Sequence, residues 1–139
     1  MAKLDPASLT LLWIGVGGGL GSMARHLMSG WVARHFGAAF PWGTLLVNVT
    51  GSLVIGLFAA LAAPDGRWLV PATARQFFMI GVLGGYTTFS SFSLQTLALA
   101  QEGEWLQAAG NAAGSLLGCL AAVWVGWRLG VELNALDRG

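Results

Sequence analysis

Between Gly81 and Ser93 the sequence reads Gly-Val-Leu-Gly-Gly-Tyr-Thr-Thr-Phe-Ser-Ser-Phe-Ser, inside a segment that is otherwise apolar from about Gln76 to Leu99. Gly84 and Gly85, followed by Thr87 and Thr88, are poor helix formers, so the helix is predicted to break over 84–88. A break frees carbonyls at the end of the first half-helix and N–H groups at the start of the second. At membrane depth such groups must be buried in protein or face a polar cavity. The carbonyl end carries partial negative charge that suits a cation, while the hydroxyls and N–H groups beyond it offer donors to an anion. The chemistry these residues point to is the handling of ions.

Other polar residues fall at helical spacing. Thr44, Asn48 and Ser52 lie four apart with Gly56 on the same line, which places an amide and two hydroxyls on one helix face. Asn48 there serves either as interhelical glue or as pore lining. Further on, Asn111, Ser115 and Cys119 form a second polar line, beside Gly110, Gly114 and Gly118, a small-residue line expected to pack closely. Near the N-terminus, Gly15/Gly19, Gly17/Gly21 and Gly18/Ser22 are also pairs of small residues four apart. Arg25 follows within a turn, and either snorkels to the interface or draws an anion to a pore mouth.

The elements that carry these residues are set by composition. Of 139 residues, 55% are hydrophobic and 9% charged, against about 25% charged in a soluble domain, and the mean hydropathy is +0.68. The chain reads as an all-α membrane protein with a single domain, 1–139, of four spans at about 8–26, 42–63, 76–99 and 105–129. Arg34, His35 and Pro41 read as a connecting loop, and Gln101-Glu102-Gly103-Glu104 as a tight turn. No room is left for a nucleic-acid-binding module, so no nucleic acid partner is expected. The N-terminal Met1-Ala-Lys3-Leu-Asp5-Pro6 lacks a basic n-region, and the first apolar run reads as a retained span. The half-helix after the break is polar nearly all round and cannot face lipid, and one subunit hardly supplies enough wall for it; an oligomer is expected.

Rival functions fare worse. A small proton-coupled multidrug-type exporter needs a membrane-embedded carboxylate, yet no Asp or Glu occurs between Asp5 and Asp65 or between Asp65 and Glu102. An intramembrane enzyme lacks a convergent nucleophile and base, since His26 and His35 lie near the first loop and Cys119 is remote. Lys3, Arg67, Arg75, Arg128 and Arg138 share one side against Arg25 and Arg34, which nominally makes that side cytoplasmic.

Taken together, Gly18-Gly-Leu-Gly21-Ser-Met-Ala-Arg25, Gly43-Thr-Leu-Leu-Val-Asn48-Val-Thr-Gly51-Ser52 and Gly84-Gly-Tyr-Thr87-Thr-Phe89-Ser-Ser-Phe92-Ser93 make the chain resemble the Fluc (CrcB-like) family of fluoride channels over nearly its whole length. The third motif is the most specific. The resemblance implies an antiparallel, dual-topology homodimer in the bacterial inner membrane, with the third helix broken at mid-membrane and two pores for passive fluoride efflux. It implies a structural sodium ion at the dimer centre, held by the main-chain carbonyls of Gly84 and Thr87. It further implies a fluoride pathway of Asn48, Phe89, Phe92, Ser90 and Ser115, with Arg25 at its entrance and Thr88 and Ser91 among the hydroxyls along it. Ser91 stands where that family usually has threonine, Cys119 where close relatives can carry a hydroxyl, and Asn111 where some carry tyrosine.

Overall fold

The first helix shows how sharply this chain marks its ends. In the computed structural model, which describes residues 5–136, α1 runs Pro6–Phe36. Asp5 caps it by accepting from the Ser8 N–H at 3.4 Å and from the Ser8 hydroxyl, and Pro6 fills the first position, where a missing N–H costs nothing. Gly37 stops it at φ 82°, with its N–H returning to the Ala33 carbonyl at 3.0 Å. Arg34 and His35 therefore sit in the last helical turn and not in a loop. Nothing in Leu27–Phe36 halts a helix, and the two basic residues suit its C-terminal end.

The second helix, α2, is Trp42–Leu61, and the loop after it is tied down at several points. Trp68 N–H bonds the Leu61 carbonyl at 2.9 Å, and the Arg75 guanidinium bonds the Ala62 carbonyl at 3.0 Å. The third span comprises α3 (Ala72–Gln76), a π-helical segment Phe77–Leu83, α4 (Gly84–Tyr86) and α5 (Phe89–Gln101). A turn with Gly103 at φ 82° leads into α6, Trp105–Leu136, which continues well past 129. Four helical stretches are long and apolar enough to cross a membrane: Pro6–Phe36, Trp42–Leu61, Ala72–Gln101 and Trp105–Leu136. With the relationships described below, they make the chain an integral membrane protein, all-helical over the described residues. Lys3 and Arg138, two of the charges in the orientation argument, lie outside the described residues.

Packing pairs α2 with α6 and α1 with the third span, and glycines make both contacts close. A Cβ on Gly17 would come within 2.7 Å of the Phe77 carbonyl, and one on Gly85 within 3.0 Å of the Gly18 Cα. Gly56 lies against the Val123 carbonyl and Gly126 against the Leu53 carbonyl. The expected line of Gly110, Gly114 and Gly118 behaves otherwise. A Cβ at Gly110 or Gly114 meets nothing within 4 Å, and at Gly118 only the Val49 side chain at 3.2 Å. The glycines of α6 that meet α2 backbone are Gly126, at the Leu53 carbonyl, and Gly130, at the Leu57 carbonyl. On α1 an added Cβ would strike the third span at Gly17 and Gly21, while at Gly15, Gly18 and Gly19 it would meet nothing within 4 Å.

Candidate functional site

Gly84 and Gly85, expected to break the third helix, are themselves helical, with Gly84 at φ −65° and ψ −36°. At Gly85 the missing side chain serves the approach of α1, whereas a Cβ on Gly84 would meet only the Met79 carbonyl, at 3.8 Å. The backbone leaves the helical region at Thr87 (ψ 158°) and Thr88 (φ −154°, ψ 115°), at the far end of the predicted stretch 84–88. The reason is a competing partner. In a continuous helix the Thr88 N–H would donate to the Gly84 carbonyl; here it donates to Asn48 Oδ1 at 2.7 Å, and Asn48 Nδ2 donates to the Thr88 carbonyl at 2.9 Å. Thr88 then caps α5, its Oγ1 accepting from the Ser91 N–H at 3.2 Å.

Around this bend the side chains form two connected polar clusters. Thr88 Oγ1 lies 3.2 Å from Ser90 Oγ and donates to Ser91 Oγ at 3.1 Å, while the Thr87 hydroxyl turns back to the Leu83 carbonyl at 2.9 Å. Across from them, Asn111 Nδ2 donates to Thr96 Oγ1 at 2.7 Å and Ser115 Oγ lies 3.5 Å from Asn111 Oδ1. Asn111 is only 1% exposed, so it acts as a buried tie between α5 and α6. Gln95 Oε1, one turn beyond Ser91, is buried with no hydrogen-bond partner among the described residues. On the other flank, Thr50 Oγ1 lies 3.0 Å from the Tyr86 hydroxyl, which fixes the residue just before the bend.

A cavity of about 610 Å³ opens beside the bend between α2, the third span and α6. Asn48, Gly84, Thr87, Thr88, Phe89, Phe92 and Ser115 line it, together with Ser52 and Cys119. Ser90 and Ser91 are not among its lining residues and reach it only as hydrogen-bond partners of the Thr88 hydroxyl. The rings of Phe89 and Phe92 are 5.1 Å apart at 53°, and Phe89 is 78% exposed. Arg25 is tied to the same bend. Half-buried, its Nη1 donates to the Thr87 carbonyl at 3.3 Å.

Comparison with known proteins is decisive at this point. A family model described as "CrcB-like protein, Camphor Resistance (CrcB)" matches residues 12–127. The chain belongs to the CrcB-like family. It is 61% identical to the "Fluoride-specific ion channel FluC" of Opitutus terrae over 125 residues, 90% of this chain and 95% of that one. Its identity to the protein of the same name from Rhodospirillum rubrum is 58% over 126 residues, 91% of this chain and 98% of that one. A third such protein, from Methylocella silvestris, is 51% identical over 125 residues.

Sequence reading of this CrcB-like chain missed three features of the site. The seven-residue π-helix Phe77–Leu83 has no local signal, since its composition is that of any apolar helix. The Thr50–Tyr86 contact joins residues 36 apart, and the Arg25–Thr87 bond residues 62 apart. Ser52 was on the polar line of α2, and that was the available signal that it would reach the cavity.

Proposed function

We propose that this chain is a fluoride-selective channel of the bacterial inner membrane, through which fluoride leaves the cell passively. It works as an antiparallel, dual-topology homodimer with two pores and a structural sodium ion at its centre. The observation that carries this reading is the convergence of Asn48, Thr88, Phe89, Phe92 and Ser115 on one open cavity, in a chain 61% identical to a protein named as a fluoride-specific ion channel.

Fluoride is small and strongly hydrated, so a path through a bilayer must replace its water with donors or positive edges. The Asn48 amide and the Ser90 and Ser115 hydroxyls supply donors, and the edges of Phe89 and Phe92 carry partial positive charge. The exposure of Phe89 supports a second subunit, whose surface would complete the wall that this chain leaves open. So do the span windows, which are only 11–28% buried within one chain.

The residues present fit a central cation. Diversion of the Thr88 N–H to Asn48 releases the Gly84 carbonyl from its helical partner, and Gly84 is exposed where a second chain would meet it. Carbonyl oxygens suit a hard cation. The Gly84 and Thr87 carbonyls would hold a sodium ion there, and the ion would balance the partial negative charge of the helix end.

The exporter reading finds no support in the spans. Glu132, on the last turns of α6, is exposed and paired with Arg128 at 3.3 Å, and the other described carboxylates lie outside the helices. The deciding experiment is fluoride efflux from proteoliposomes beside chloride efflux. Rapid fluoride flux with little chloride flux is expected, and accumulation of fluoride against its gradient driven by a pH or sodium gradient would overturn the channel reading.

A further inference from the structure

The Thr87 carbonyl has two claimants. As a proposed sodium ligand it must present a lone pair to the cation, yet the guanidinium of Arg25 already donates to it at 3.3 Å. Arg25 is half-buried, and among the described residues no carboxylate pairs with it. A full positive charge thus stands against one of the oxygens assigned to a second positive charge. We propose that Arg25 competes with sodium for the Thr87 carbonyl, so that it holds the affinity of the cation site down and links that site to the anion path. The inference rests on the sodium reading given above and assigns Arg25 a role at the centre of the protein in place of its mouth.

The physical case is direct. A carbonyl oxygen can accept two bonds, so the guanidinium does not exclude the cation, but like charges sharing one oxygen repel strongly where water is scarce. The repulsion is present in each subunit of a dimer. Because binding couplings are reciprocal, cation occupancy weakens the Arg25–Thr87 bond and frees the guanidinium toward the cavity. An anion held by Arg25 draws it from the carbonyl and strengthens cation binding. Ser22, one turn before Arg25, has its hydroxyl 3.5 Å from the Gly85 carbonyl, so α1 presents donors to this carbonyl end at two successive turns, of which only Arg25 is charged.

The test is sodium-dependent thermal stability of the detergent-solubilised protein, with sodium replaced stepwise by N-methylglucamine at constant ionic strength. A ligand that binds only the folded state raises its melting temperature with concentration, which gives the apparent affinity. Arg25→Gln is expected to shift the sodium midpoint to roughly tenfold lower concentration. A midpoint equal to or above that of the parent would overturn the competition and leave the sodium site standing, since Arg25 would then merely position the carbonyl. Should Arg25→Gln fail to assemble, Arg25→Met, which keeps an unbranched chain but removes the charge, carries the same test: a lower midpoint supports the proposal and an equal or higher one overturns it. Absence of any sodium dependence in the parent protein would overturn the sodium reading itself, and the inference with it.

Discussion

Asn48 holds Thr88 by both of its backbone polar atoms, with Nδ2 on the carbonyl at 2.9 Å and Oδ1 on the N–H at 2.7 Å. One amide side chain thereby does the work of two helical hydrogen bonds at the point where α4 ends and α5 has yet to begin. Both residues are buried, so neither backbone group has water as an alternative.

Replacing Asn48 therefore costs more than a lost pore donor. Asn48→Leu leaves the buried N–H and C=O of Thr88 without partners, at about 1–3 kcal/mol each. Asn48→Asp keeps the acceptor for the N–H but turns a carboxylate oxygen toward the Thr88 carbonyl and an anion toward the proposed path. Both variants should melt earlier than the parent and lose fluoride flux. Unchanged melting of Asn48→Leu would show that the bend does not depend on this clamp.

For Phe89 and Phe92 the expected outcome separates ring chemistry from bulk. Phe92→Ile and Phe89→Ile retain apolar volume but remove the positive ring edge, so flux in liposomes should fall by at least tenfold while the dimer stays folded. Parental rates in both variants would make the rings packing residues and remove them from the pathway.

The glycines divide into two groups that melting temperature should tell apart. Gly56→Ala drives a Cβ into the Val123 carbonyl between α2 and α6, and Gly85→Ala one into the Gly18 backbone; each should destabilise by roughly 1–3 kcal/mol. Gly15→Ala and Gly110→Ala meet nothing within 4 Å in the chain and replace a poor helix former inside a helix, so the subunit should be unchanged or stabilised by up to about 1 kcal/mol. If either of these weakens the dimer measured by cross-linking, the open small-residue face is where the second subunit sits.

At the N-terminus, the bonds from the Ser8 hydroxyl and N–H hold the Asp5 carboxyl below its ordinary 3.8. The sign follows: a lowered folded value stabilises the cap above 3.8, and that stabilisation is lost as the pH falls through the folded value. The Ser8 amide resonance should titrate with a midpoint below 3.8 and lose the transition in Asp5→Asn. A midpoint at or above 3.8 would mean that the cap does not form in solution.

The four spans, and the cluster of hydroxyls and rings after Gly85, were legible in the sequence. Both are local properties: apolar length fixes what can cross a bilayer, and a polar half-helix at membrane depth needs a wet or protein-lined neighbour whatever the fold. Local reading also placed Asn48 and Ser115 on polar lines of their helices. It marked 84–88 for the break, a stretch that contains Thr87 and Thr88, but not why the break falls at its far end: the Thr88 N–H leaves the helix because Asn48, 40 residues away, replaces Gly84 as its acceptor. The line of Gly110, Gly114 and Gly118 did not mark the closest-packed glycines, since Gly126 lies about 160° round α6 from Gly110 and it is that face which α2 covers. Arg25 reaching Thr87 is a decision of the same kind: the side-chain chemistry was written in the sequence, and the oxygen it meets was chosen by how α1 crosses the third span.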